Sequence, residues 1–122
     1  MRILIAEDVP TVRNGLQILF ELQEGLEVLG AAADANELIS LTEKGCPDAV
    51  LIGWELPELA GIELLKTLRS TCPNLVVIVL SGRPEARNAA LAAGANLFIS
   101  KASPPEQLLA SILSIPPGTN ED

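Results

Sequence analysis

DAVLIGWELPELAG, residues 48–61, decides the fold. Its core, Ala49-Val50-Leu51-Ile52, is solidly apolar, with none of the polar alternation of a half-wet strand. A short run of this kind, bounded by Asp48 and by Gly53 and Pro57, reads as a strand covered on both faces. Working outward, similar runs recur at RILIA (2–6), EVLGAA (27–32), LVVIVL (75–80) and NLFIS (96–100). Five solidly apolar strands imply a parallel sheet, and parallel strands require crossover connections.

Helical patterns supply those crossovers. In PTVRNGLQILFELQ, Val12, Leu16, Leu19 and Phe20 form one apolar stripe. DANELISLTEKG opens with Asp34 and Glu37 at capping-box spacing and stops at Gly45. GIELLKTLRS places Ile62, Leu65 and Leu68 on one side, and the Ala-rich RPEARNAALAAG stops at Gly94. SPPEQLLASIL starts with Ser103 as N-cap, Pro104 at the first helical position and Glu106 at the third. The expected architecture is a doubly wound α/β fold, (βα) repeated five times with right-handed crossovers. It occupies residues 1–115, and residues 116–122 read as a C-terminal tail or the start of a linker.

Composition narrows the function. The 122 residues suit one domain, and the 48% apolar content with 2% aromatics suits an aliphatic α/β core. A net charge of −8 with no Lys/Arg cluster argues against direct nucleic-acid binding. No apolar run approaches the ~18 residues of a membrane span, and the opening run is too short for a signal peptide, so a cytoplasmic protein is expected. Cys46 and Cys72 form no C-x-x-C, and the chain has no His to complete a zinc site. Both precede apolar runs (KGCPD and RSTCPN), which would bring them close if those strands are neighbours; they are read as reduced structural thiols.

In a sheet of strand order 2-1-3-4-5, the flavodoxin-like arrangement, chemistry gathers outside the carboxyl ends of the strands at the switch point. The residues delivered there are Glu7 and Asp8, Gly53-Trp54-Glu55, Ser81 and Lys101. Adjacent carboxylates suit Mg²⁺, while a hydroxyl and an ammonium suit phosphoryl oxygens. Singly, an acidic pair or a Ser after a strand is usually a helix cap. Jointly, at three strand ends, they make a site.

ILIAEDVPTVRNGL, PDAVLIGWELPELAGIELLKTLR, VVIVLSG and AAGANLFISKASPPEQLLASI resemble a response-regulator receiver domain of the LuxR/NarL type over almost the whole chain. The resemblance implies that Glu7 and Asp8 match the Mg²⁺-binding acidic pair, with Glu55 contributing at most weakly or vestigially. It matches Ser81 and Lys101 to the residues that sense the phosphoryl group, and Phe98 to the aromatic that changes rotamer on activation. Pro57 and Gly61 match the P-x-x-x-G of the phosphorylation loop.

That alignment places Gly53 where the family carries its phosphoacceptor aspartate. Glycine offers no nucleophile, so conventional phosphorylation is expected to be lost. With one carboxylate fewer, no cofactor is required, Mg²⁺ should bind weakly, and Lys101 should reach toward Asp8 or Glu7. Trp54 either packs in its loop or fills the emptied pocket; simple packing is favoured. The expected function is that of an atypical, non-enzymatic receiver acting through a protein partner or an attached output domain, a DNA-binding one in this family. Homodimerisation is a further expected mode. Two alternatives stay open: a small-molecule-binding α/β domain using the same crevice, and a receiver phosphorylated at a substitute acid such as Glu55.

Overall fold

The computed structural model describes residues 1–115. The tail expected at 116–122 lies outside the described residues. Five strands, β1 (Arg2–Ala6), β2 (Glu27–Ala32), β3 (Ala49–Gly53), β4 (Val76–Ser81) and β5 (Leu97–Ser100), alternate with five helices. The helices are α1 (Pro10–Glu21), α2 (Ala35–Glu43), α3 (Gly61–Thr71), α4 (Ala86–Ala92) and α5 (Pro105–Leu113). All strand pairs are parallel, in the order β2-β1-β3-β4-β5. This is the flavodoxin-like (βα)5 arrangement.

The alternation of side chains along each strand divides the core into two layers. Leu4, Val50, Ile52, Val77 and Val79 face Leu38, Leu64, Leu65 and Leu68 of α2 and α3. Ile3, Ile5, Leu51, Ile78 and Ile99 face Leu16 and Phe20 of α1 and Leu108 and Ile112 of α5. Every residue of β3 and β4 is buried, which is why these strands read as unbroken apolar runs. Val12 and Leu19 pack at the edge of the α1 contact, completing its stripe.

Three local readings need correction. Helix α5 begins one residue later than its sequence suggests: Pro104 is the N-cap, in extended backbone (φ −62°, ψ 153°), and Pro105 takes the first turn. The following proline disfavours helical backbone at Pro104, which is extended, and Ser103 forms no side-chain cap. On α3 the buried stripe is Leu64, Leu65 and Leu68, while Ile62 is 48% exposed. Ile62, two residues before Leu64, falls about 200° around the helix from it and so off the buried stripe. Third, Cys46 and Cys72 are joined as a disulfide and are not free thiols. The register Ala49↔Val76 makes β3 and β4 immediate neighbours and brings the preceding loops together, with the two Cα atoms 5.7 Å apart.

The capping box of α2 forms as read at its centre. Asp34 Oδ1 accepts the Glu37 N–H at 2.8 Å. The return bond shifts by one residue, Glu37 Oε1 accepting from the Ala33 N–H at 2.8 Å.

Candidate functional site

The strand order brings four chain segments to one end of the sheet. Glu7 continues β1, its N–H donating to Ala32 O at 3.0 Å. Gly53 ends β3 opposite Leu80, and Trp54 N–H donates to Leu80 O at 3.0 Å. Lys101 follows β5, its N–H donating to Ser81 O at 2.9 Å. Glu7, Gly53, Ser81 and Lys101, distant in sequence, are thereby collected at the switch point.

Glu7 dominates this site. Its side chain is fully buried, although an ionised carboxylate is among the costliest groups to bury. Lys101 Nζ lies 3.1 Å from Oε1 and 3.2 Å from Oε2, and Val9 N–H donates to Oε2 at 3.1 Å. The ammonium sits in line for a hydrogen bond to Oε2 but off line for Oε1, which has a charge beside it and no hydrogen-bond donor. What Oε1 does have is room. A Cβ built on Gly53 would lie 2.6 Å from it, well inside contact distance. The carboxylate of Glu7 therefore fills the space in which a side chain at position 53 would begin.

The other polar residues are engaged as well. Ser81, also buried, donates from Oγ to Glu55 Oε2 at 2.9 Å and accepts the Arg83 N–H at 3.0 Å. Arg83 Nε lies 3.6 Å from the same Glu55 oxygen. Glu55 is thus held toward the end of β4, with Ser81 as its hydroxyl partner. Asp8 is exposed, and Arg13 Nη1 donates to Glu7 O at 2.8 Å and to Asp8 O at 3.5 Å, fixing the backbone of the acidic pair.

Trp54 and Phe98 stand apart from this cluster. The indole packs over Gly61, where an added Cβ would come within 2.6 Å of the ring, and against the layer beneath α2 and α3. The indole thus packs within its own loop, and the Glu7 carboxylate is what stands against Gly53. Phe98, opposite Val79 on β5, is partly buried against the same layer.

The donor set does not fit Mg²⁺ in this arrangement. Octahedral Mg²⁺ requires oxygens at about 2.0–2.1 Å with little tolerance. Glu7 is held by an ammonium, Glu55 is turned to Ser81 and Arg83, and position 53 has no side-chain oxygen to offer. Among the described residues no three His, Cys, Asp or Glu side chains converge as ligands.

Sequence reasoning missed Arg83, Arg13 and the filling role of Glu7. The signal for the last lay in the two residues that follow the Ala6↔Ile52 pair, a long acid on one chain segment and a glycine on the other. A cleft of about 370 Å³ opens between α1 and α5, lined by Val12, Leu16, Leu80, Ser100, Lys101 and Leu108 among others. Lys101 thus touches both the polar cluster and this apolar cleft.

The profile of the response regulator receiver domain matches residues 3–113. The uncharacterized transcriptional regulatory protein YhcZ of Bacillus subtilis is 36% identical over 89% of this chain and 52% of its own length. The nitrate/nitrite response regulator protein NarL of Escherichia coli K12 is 32% identical over 90% of the chain and 52% of its own. This chain spans about half the length of these relatives. Among solved structures, a LuxR-family two-component response regulator from Aurantimonas sp. SI85-9A1 superposes with a TM-score of 0.85 at 32% identity, covering 93% of this chain and 83% of that one. No helix among the described residues is long and apolar enough to cross a membrane.

Proposed function

The chain belongs to the response-regulator receiver domain family, LuxR/NarL type, and from that premise we propose a receiver that signals without accepting a phosphoryl group. The single observation behind this reading is the placement of Glu7. A phosphoacceptor must present a carboxylate oxygen in line with the incoming phosphorus. Position 53 has none, and the space above it is filled by a carboxylate that Lys101 neutralises. The ammonium and the hydroxyl that would hold phosphoryl oxygens are already bound, Lys101 to Glu7 and Ser81 to Glu55. An ion pair thus takes the place of the phosphoryl group and its metal.

Such a domain acts as a cytoplasmic interaction module. It passes a signal to a protein partner or to an attached DNA-binding output domain, in keeping with a longer relative being called a transcriptional regulatory protein, and does not touch DNA itself. Homodimerisation is part of the same reading. Intact mass after incubation with acetyl phosphate and Mg²⁺ tests it, with Gly53→Asp in parallel. The native chain should gain nothing. Gain of a phosphoryl group by the native chain would overturn the reading and direct attention to Glu55.

A second reading rests on the cleft between α1 and α5. Its apolar walls and the Lys101 ammonium at its edge suit a small amphipathic anion, which would compete with Glu7 for Lys101. A thermal-shift screen of metabolites separates the two readings.

A further inference from the structure

The Cys46–Cys72 bridge lies at the opposite end of the sheet from the polar cluster, and nothing in the phosphate-free switch uses it. Cys46 is exposed in the loop entering β3, whereas Cys72, 2% exposed, is the C-cap of α3 and belongs to the core layer beneath that helix. The bond closes 26 residues of chain that contain all of β3 and α3. Both partners are anchored independently of it. Arg2 Nη2 donates to Cys46 O at 3.1 Å, and Cys72 N–H donates to Leu68 O at 2.7 Å. The Cys46 sulfur also lies 3.5 Å from Thr71 O, so a thiol formed there has an acceptor in place. The backbone on either side of the bond is thus held by contacts that do not depend on it.

We propose that Cys46 and Cys72 form a reversible thiol–disulfide site, a redox input separate from the phosphorylation pocket. The inference rests on the cytoplasmic placement of the proposed function, because disulfides in a thiol-reducing compartment are mostly transient, catalytic or sensing. Exposure fixes the direction of attack. A thiolate of a protein dithiol attacks the exposed Cys46 sulfur, the Cys46–Cys72 bond breaks, and Cys72 departs as a thiolate that takes a proton. The second thiol of the reductant then attacks its own sulfur in the mixed disulfide and releases Cys46, which is protonated in turn. Two electrons and two protons pass to the cysteine pair, and the reductant leaves as a disulfide. A low-molecular-weight disulfide such as oxidised glutathione drives the reverse reaction by the same exchange. Opening the bond frees the loop entering β3 from the end of α3, while the hydrogen bonds of Cys72 keep the helix in place.

The test equilibrates the 122-residue chain in glutathione buffers of graded redox potential, quenches with an alkylating agent and counts alkylated cysteines by intact mass. The expected result is a single two-electron transition from no alkylated cysteine to two, reached from either direction. Thioredoxin with its reductase and NADPH should open the oxidised form. The oxidised form should melt roughly 10 °C above the reduced one, as closure of such a loop implies. Cys46→Ser, altered at the exposed partner so that the core is spared, should melt alike under both conditions. Two cysteines alkylated at every potential would show that no bond forms, and none alkylated even under excess thioredoxin would show a permanent bridge. Either outcome overturns the inference, and neither bears on phosphorylation, which is read by a separate mass gain.

Discussion

Glu7 and Gly53 share one space: the carboxylate oxygen of the first lies 2.6 Å from where a Cβ on the second would stand. Where β3 ends without a side chain, volume and charge are supplied by the residue that follows β1. That carboxylate is itself neutralised by Lys101 from β5, so three strands close the site.

The ion pair should be strongly coupled. Lys101→Ala leaves a fully buried carboxylate with one backbone donor, a loss of about 3 kcal/mol. Glu7→Gln keeps the shape and removes the charge, at about 1–2 kcal/mol. Chemical denaturation of both single variants and the double gives the coupling energy directly; additivity would mean that the pair holds nothing together.

An aspartate placed at position 53 should not by itself give efficient phosphoryl transfer. In Gly53→Asp the new Cβ collides with the tip of a flexible side chain, so Glu7 must swing away from its position beside Lys101. Shortening that acid as well, in Gly53→Asp/Glu7→Asp, removes the collision. The double variant should label with acetyl phosphate several-fold faster than the single one, by time-resolved intact mass.

Mg²⁺ should follow the same order. Trp54, the only tryptophan, sits next to position 53 and reports the site by fluorescence. The native chain should show no saturable change through the millimolar range, whereas Gly53→Asp/Glu7→Asp should saturate. Saturation in the native chain would mean that Glu7 leaves Lys101 for the metal.

The loop between β3 and α3 depends on a glycine for space. Gly61→Ala would drive a methyl group into the ring of Trp54, at a cost of about 1–3 kcal/mol. A shift in tryptophan emission together with lowered stability is expected, and unchanged emission would place the ring elsewhere.

The two helix starts read from sequence should behave differently. Asp34→Ala removes a formed cap and should cost about 1 kcal/mol. Ser103→Ala removes no side-chain cap and should fall within about 0.5 kcal/mol of the native chain, since Pro104 occupies the cap position. Thermal unfolding of the two variants side by side decides this.

Much of this molecule was legible in one dimension. Unbroken aliphatic runs such as Ala49–Ile52 report burial on both faces, and the stripe of Val12, Leu16, Leu19 and Phe20 reports a helix against a sheet, because both periods are local geometry. Strand ends could be named for the same reason, and with them Glu7, Ser81 and Lys101. What each of those groups would touch was not local. Lys101 was expected at either member of the acidic pair, and the fold gives it Glu7, because β5 and β1 lie on opposite sides of β3 and the Glu7 carboxylate lies over Gly53 between them. Ser81 finds Glu55, and Arg83 joins them, through a loop whose course no periodicity records. Cys46 and Cys72 could be read as near each other but as reduced thiols, and the register of β3 and β4 brings them close enough to bond. Secondary structure follows from neighbours in sequence. A salt bridge across 94 residues and a disulfide across 26 need side chains from distant stretches at contact distance, which the expected strand order permits and only the folded chain fixes.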